Sequence, residues 1–341
     1  MIAASSIANQ PEAASRADWQ RALADAISDP RELLSELDVP FDAMLEAQLA
    51  ARSFPLRVPR GFVRRMRRGD ARDPLLLQIL PLGAELERTA GYTFDPVQDL
   101  AHRAAPGLLH KYHGRALLIA TGACAVHCRY CFRRHFPYGD ESAVGSQWQQ
   151  ALALIQADPS IGEIILSGGD PLSLSDQRLQ RLTDDLRRIP HVRRLRVHTR
   201  YPIVLPERVD DGLGRWLQNL PWPVVVVLHT NHANEIDAAV ARACKALRDS
   251  GATLLNQAVL LARVNDSTDA LVDLSEKLFA AGVLPYYLHL LDRVQGAAHF
   301  EVAEWRARRL LREVRARLPG YLVPQLVREI AGEPSKTPIA P

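Results

Sequence analysis

The chain has 341 residues, 47% of them hydrophobic, enough to bury a large core in one α/β domain with an appendage or in two domains. A net charge of +3 is too mild to imply a nucleic-acid or membrane partner, and no run reaches the ~18 consecutive apolar residues of a membrane span. Four cysteines, three of them clustered, make no disulfide framework and fit metal chemistry in a reducing compartment; no leader of basic then apolar residues opens the chain, so a soluble, cytoplasmic protein is expected.

Residues 1–15 are small and polar and are expected to be disordered. Trp19, Leu23 and Ile27 then recur every four residues on one helix face. Asp29-Pro30 stops that helix and starts another through Leu33 and Leu34, and a third is expected over 41–52. Residues 16–105 thus read as a helical N-terminal region. Within it, 57–72 is a basic run, with Arg60, Arg64, Arg65, Arg67 and Arg68 around Phe62, Val63 and Met66. It reads as the solvated face of an amphipathic helix, or else as a grip for an acidic partner or a phosphate. Residues 75–82 and 91–102 show no decisive period.

An apolar strand candidate at 115–121 leads straight into TGACAVHCRYCFRRHFPY, which places Cys124, Cys128 and Cys131 in a C-x3-C-x2-C spacing; Cys244 lies far away in a helical pattern. Three thiolates cannot close a tetrahedral zinc site, so His127 or His135 would have to complete one. Iron–sulfur clusters are held by closely spaced cysteines, and three ligands on four irons leave one iron open. Arg133 and Arg134 follow directly. They suit bidentate pairing with a carboxylate or phosphate, or simple balance of a negative cluster.

Further strands are expected at 163–166, 195–199, 224–229, 253–259 and 285–290, with helices near 145–157, 175–188, 206–219, 234–249, 267–281 and 301–317. Six strand–helix repeats with near-continuous apolar strands imply an α/β fold with a parallel sheet and helices outside. In a curved or barrel-like version the chemistry gathers at the carboxyl ends of the strands. The cysteines, Ser167-Gly168-Gly169-Asp170, Thr199-Arg200 and His229 all fall there. Gly168 and Gly169 let backbone approach a ligand and Asp170 can accept from an ammonium, unless the turn is an ordinary one with a helix-start aspartate. A last strand at 321–327 precedes the tail REIAGEPSKTPIAP. Its Lys336 is one of only four lysines, with Lys111, Lys245 and Lys277. A tail lysine is either solvated or, in a pyridoxal phosphate enzyme, the Schiff-base residue. Asp292 and Glu329 are surface acids or a pair able to grip an ammonium in the mouth.

The cysteine spacing with Tyr130 beside the last cysteine resembles the signature of the radical S-adenosylmethionine superfamily. In order, CAVHCRYCFRRHF, LSGGDPL, VHTRYPIVLPERV, HTNHANEI, NQAVLLARVND, YYLHLLD-x3-G-x2-HF and KTP resemble the landmarks of the lysine 2,3-aminomutase family over residues 90–341. Within it, FRRHFPY and REIAGEPSKTP resemble the branch that serves β-lysylation of elongation factor P. The resemblance implies a partial (β/α)6 TIM-like barrel of the radical S-adenosylmethionine type over 106–320. A helical N-terminal subdomain would precede it, and a strand with a cofactor-binding tail would follow over 321–341.

The same resemblance implies an isomerase that converts L-α-lysine to (R)-β-lysine by a radical 1,2-amino shift. A separate ligase would attach the product to elongation factor P, and a one-electron donor protein would supply the reductant. Cys124, Cys128 and Cys131 would hold a [4Fe–4S] cluster. Gly168, Gly169, Asp170 and Arg200 would seat S-adenosylmethionine. Lys336 would carry pyridoxal 5′-phosphate as a Schiff base, near Tyr112 and Arg115. Arg133 would take the lysine carboxylate and Asp292 the ε-ammonium, with Glu329 where the free-lysine enzymes have an aspartate. That glutamate is one methylene longer, and Ala331-Gly332-Glu333-Pro334-Ser335 replaces a glycine-rich run, so pocket depth is expected to differ. Homo-oligomer formation stays open. So do four other readings: an aminomutase for another amino acid such as glutamate, one acting on already lysylated elongation factor P, a nucleic-acid modifier gripping through 57–72, and a zinc-stabilised binding protein.

Overall fold

Runs such as EIILSG and VVVVLH carry apolar side chains on both strand faces, which is stable only when both faces are covered. The computed structural model describes residues 17–40, 44–141 and 146–340, and builds these runs into one ten-stranded sheet in chain order. The strands are β1 (Arg103–Ala105), β2 (Leu108–Tyr112), β3 (Arg115–Thr121), β4 (Glu163–Gly168), β5 (Arg194–Thr199), β6 (Val224–His229), β7 (Ala252–Val259), β8 (Leu284–His289), β9 (Gln325–Arg328) and β10 (Thr337–Pro338). Neighbours from β3 to β9 are parallel. Antiparallel β1 and β2 extend one edge and antiparallel β10 the other. The two outer strands do not pair with each other among the described residues, so the barrel is partial.

Each parallel crossover carries an outer helix: Ser146–Ala157, Asp176–Leu186, Asp211–Gln218, Ala238–Asp249, Thr268–Ala280 and Glu304–Arg317. Ser175, Asp210, Asp237 and Ser267 cap four of them by accepting from first-turn N–H groups. Leu166, Val197, Val226 and Leu254 of the strands bury with Leu179, Leu213, Val240 and Leu274 of the helices in the main core. The opposite strand face looks inward. At a spacing of two it supplies Arg115 and Leu117, Ile165 and Ser167, Arg196 and His198, Gln257 and Val259, and Tyr287 and His289 to one central cavity.

The helical expectation for 16–105 holds for Asp18–Ala24, Pro30–Glu36 and Met44–Ser53, but β1 already begins at Arg103. The first helix ends before Ile27, which bridges to Val58 instead. Residues 1–15 and 41–43, named above as disordered and as the start of the third helix, lie outside the described residues. Residues 57–72 are not a long amphipathic helix; only Arg60–Val63 is helical. Arg64, Arg67, Arg68 and Arg72 are exposed, as a solvated face requires, but several arginines of the run have acid partners. Arg60 pairs with Asp25, Glu32 and Glu36, Arg67 with Asp70 and Arg68 with Asp38, while the buried Arg65 donates to the Glu235 carbonyl and pairs with Asp237. The strand expected over 321–327 starts only at Gln325, after a 3-10 turn at Gly320–Leu322; Pro324 has no N–H to give a ladder.

Candidate active site

The cavity at the carboxyl ends of the strands has a volume of about 320 Å³, and every residue to which the family resemblance gives a role lines it, from Tyr112 to Lys336; His127, Arg134 and His135 do not. One wall is the cysteine loop that leaves β3. A Cβ on Gly169 would sit 2.5 Å from the Ala123 carbonyl oxygen, and one on Gly168, at φ +116°, 2.7 Å from that of Thr121. The two glycines therefore first let the end of β4 seat the cysteine loop, which Gly169 N and Asp170 N fasten by donating to the Thr121 and Ala123 carbonyls at 2.7 and 2.8 Å. Gly169→Ala is expected to displace that loop, lowering stability by about 1–3 kcal/mol and reducing iron bound per chain, read by thermal unfolding and metal analysis of reconstituted protein.

Cys124, Cys128 and Cys131 form no disulfide. Burial first, then the neighbouring carboxylate of Asp170 and the other two sulfurs, raises the Cys124 thiol well above its ordinary value, and burial with Cys128 pushes Cys131 to about 11. Thiols raised in this way become thiolates only when a cation compensates them. Among the described residues no three His, Cys, Asp or Glu side chains are grouped as a single metal ion requires. His127 and His135, the zinc alternatives, turn instead to the Pro55 and Gln295 carbonyls at 2.9 and 3.2 Å. A four-iron cluster offers each thiolate its own iron and fits this donor set.

Arg200 reaches the same wall: Nη1 donates to Cys128 Sγ at 2.7 Å and to the Tyr130 hydroxyl at 2.8 Å. Its other arm is held by Gln78 at 2.8 Å and by the fully buried Glu235 at 2.9 Å. Asp170 does not present a free carboxylate. Its oxygens accept from Leu172 N at 3.1 Å, Thr199 Oγ1 at 2.7 Å and Arg200 N at 2.7 Å, tying β4 to β5, and burial lifts it to about 6. Arg134 acts on Cys131 only from a distance. It shares the buried Glu85 with Arg129 beneath the loop, and both guanidiniums lie over the Phe54 ring.

The other wall is a row of alternating charges. Arg133 Nε pairs with Asp99 Oδ2 at 2.7 Å, Lys111 Nζ with Asp99 Oδ1 at 2.7 Å and Glu329 Oε1 at 3.1 Å, and Lys336 Nζ with Glu329 Oε2 at 2.6 Å. Burial would raise Glu329, but Lys336 and Lys111 outweigh it and hold the carboxyl near about 2. Asp292 goes the other way: burial, then Glu329, pushes it up to about 7. Its carboxyl is left facing the cavity as an acid suited to an incoming cation. Arg115 lies over the Tyr112 ring, and His198 Nε2, buried without a partner, is a polar atom awaiting a ligand. An ammonium, an orphaned imidazole and an arginine on one wall fit an anionic aldehyde cofactor. Asp99, Lys111, His198, Gln78 and Glu235 are site residues that the sequence did not single out for roles. Only the rarity of lysine pointed toward Lys111.

No family model matches the chain. It is 50% identical over 326 residues, 95% of each chain, to a protein of Escherichia coli (strain K12) named L-lysine 2,3-aminomutase. A protein of the same name from Haemophilus influenzae is 46% identical over 320 residues, 94% of this chain and 95% of that one. Another, from Clostridium subterminale, is 33% identical over 325 residues, 95% of this chain and 78% of that one. Among solved structures, a radical SAM methyltransferase from Sphaerobacter thermophilus aligns over 65% of this chain and 68% of its own at 19% identity and a TM-score of 0.45, too distant a likeness to carry an argument.

Proposed function

The chain belongs to the lysine 2,3-aminomutase family, and on that premise we propose that it isomerises L-α-lysine to (R)-β-lysine with a [4Fe–4S] cluster, S-adenosylmethionine and pyridoxal 5′-phosphate. The observation that carries this reading is a single cavity with three unpaired thiols on one wall and Lys336 beside two acids on the other. When bound, the cluster with S-adenosylmethionine supplies a radical able to take hydrogen from an unactivated carbon, and pyridoxal phosphate supplies a π-system across which an amino nitrogen can migrate.

The protein's part is position. Cys124, Cys128 and Cys131 would hold the cluster, and the Gly168-Gly169 turn beside them would face S-adenosylmethionine. Lys336 holds the pyridoxal, with Tyr112 and Arg115 on the same wall. Arg133 is fixed through Nε by Asp99 and through Nη1 by Ser167 at 3.3 Å, so its remaining N–H groups serve the α-carboxylate. Glu329 is already engaged by Lys111 and Lys336, which makes Asp292 the first seat for the ε-ammonium. A substrate held at both ends presents one carbon to the cluster side.

Two acids at the far end disfavour a glutamate aminomutase, whose substrate would meet like charge there. Arg60, Arg65, Arg67 and Arg68 are paired with acids of the chain, which disfavours the grip given to a nucleic-acid modifier. Among the described residues no helix is long and apolar enough to cross a membrane. Delivery of the product to a separate elongation factor P ligase, and reduction by a one-electron donor protein, belong to the same proposal and rest on the branch motifs.

The test is an anaerobic assay of reconstituted protein with free L-lysine, L-glutamate and lysylated elongation factor P as competing substrates. Turnover of free lysine to β-lysine is expected; turnover of only one of the others would replace this reading. A pH series adds a second expectation. Lysine binds the ionised form of Asp292, so its affinity should fall about tenfold per unit as pH drops below about 7, and Asp292→Asn should bind weakly without that slope.

A further inference from the structure

Two of the chain's four lysines, Lys111 and Lys336, line the cavity. Lys111 Nζ carries three donor hydrogens and has three acceptors: the Val97 carbonyl at 2.6 Å, Asp99 Oδ1 at 2.7 Å and Glu329 Oε1 at 3.1 Å. Two of these contacts are hydrogen bonds, to Val97 and Glu329, and the third is the ion pair with Asp99, so the ammonium is engaged by groups of the protein. Its side chain is 11% exposed, so the ammonium is held within the wall. Each acid it grips turns its second oxygen to a residue with an assigned role: Asp99 Oδ2 to Arg133 and Glu329 Oε2 to Lys336. The row Arg133–Asp99–Lys111–Glu329–Lys336 therefore runs through one joint.

We propose that Lys111 is a specificity-determining positioning residue: by pinning Asp99 and Glu329 to one ammonium, it sets the span between the Arg133 guanidinium, which takes the α-carboxylate, and Glu329 on the wall where Asp292 takes the terminal ammonium. This rests on the roles given above to Arg133, Asp292 and Glu329. A buried carboxylate that loses one of its cations is strongly unfavourable where it stands, and it moves or protonates. Without Lys111, Asp99 keeps only Arg133 and Glu329 keeps only Lys336, so both ends of the substrate site are freed to shift. A span held rigidly discriminates chain length, because one missing methylene costs about 10–200-fold in a fitted site. A span that can relax does not. The longer side chain of Glu329 suits this arrangement, since it lets one carboxylate reach both lysines.

The experiment compares L-lysine with L-ornithine, one methylene shorter, on the reconstituted holoprotein and its Lys111→Met and Lys111→Arg variants. Two readouts are taken: kcat/KM, and the concentration of each amino acid that half-shifts the absorbance of lysine-bound pyridoxal without S-adenosylmethionine. Lys111→Met should lower lysine over ornithine discrimination at least about tenfold in both readouts, mainly through KM, with iron content unchanged, and Lys111→Arg should restore most of it. Asp99→Asn cuts the row at its next joint and should relax discrimination in the same way, which keeps the test decisive if Lys111→Met does not fold. Equal losses for both amino acids, or an unchanged ratio in Lys111→Met or in Asp99→Asn, overturn the proposal. If unsubstituted protein binds neither amino acid and makes no β-lysine, the underlying reading of the site falls, and this inference falls with it.

Discussion

Lys336→Ala protein is expected to lose the visible absorbance of lysine-bound pyridoxal and all β-lysine formation, while binding iron and sulfide as the unsubstituted protein does. The geometry separates the two losses. Lys336 belongs to the tail, and although Gly332 to Ser335 are exposed, its own side chain is held in the cavity: β10 pairs with β9, Ile339 N donates to the Leu326 carbonyl at 2.9 Å, and Ile339 is 8% exposed. The strand pair thus delivers the ammonium to Glu329 across the cavity from the cysteine loop. Glu329 keeps Lys111 when Lys336 is gone, so the wall retains a compensating cation. Survival of the pyridoxal band in this variant would show that another amine carries the cofactor.

Cys128→Ser should be as severe, for the opposite reason. It removes one of three thiolates and the sulfur on which Arg200 rests at 2.7 Å. Reconstituted protein is expected to be colourless or unstable to gel filtration, with turnover at background, yet still to bind pyridoxal phosphate at Lys336. The fold should survive, because Arg200 stays paired with Glu235 and Gln78 and the loop stays fastened by Gly169 and Asp170. Cys244→Ser is the matching control. Cys244 is 1% exposed in the apolar face of Ala238–Asp249, so that variant should lose a little stability and keep cluster and activity. Loss of the cluster on changing Cys244 would contradict the ligand assignment.

Which parts of this site the sequence disclosed follows from distance along the chain. Cys124, Cys128 and Cys131 lie within eight residues, and Gly168-Gly169-Asp170 are consecutive, so local spacing exposes both. Residues 115–121 and 224–229 are apolar, β-branched runs between helical stretches, and β3 and β6 coincide with them. The hairpin partner β2 escaped because LLHKY mixes apolar and charged residues, and its Lys111 is charged because it faces the site. Lys111 and Glu329 are 218 positions apart, Gln78 and Glu235 157 apart; no local pattern joins such pairs. The run at 57–72 misled for the same reason, since the acids that neutralise Arg60 sit 24 to 35 residues upstream. Gly168 and Gly169 were found for a ligand and turn out first to accommodate backbone. Composition reports that a side chain is charged; only the fold reports what it faces.

The proposed function requires that a radical made at the cysteine wall act on lysine held at the Lys336 wall. It is tested most directly with L-lysine carrying deuterium on its β-carbon, incubated without oxygen with reconstituted protein, S-adenosylmethionine, pyridoxal phosphate and dithionite. β-Lysine is expected together with 5′-deoxyadenosine that has gained deuterium from the amino acid. β-Lysine formed while the 5′-deoxyadenosine stays free of label would contradict it.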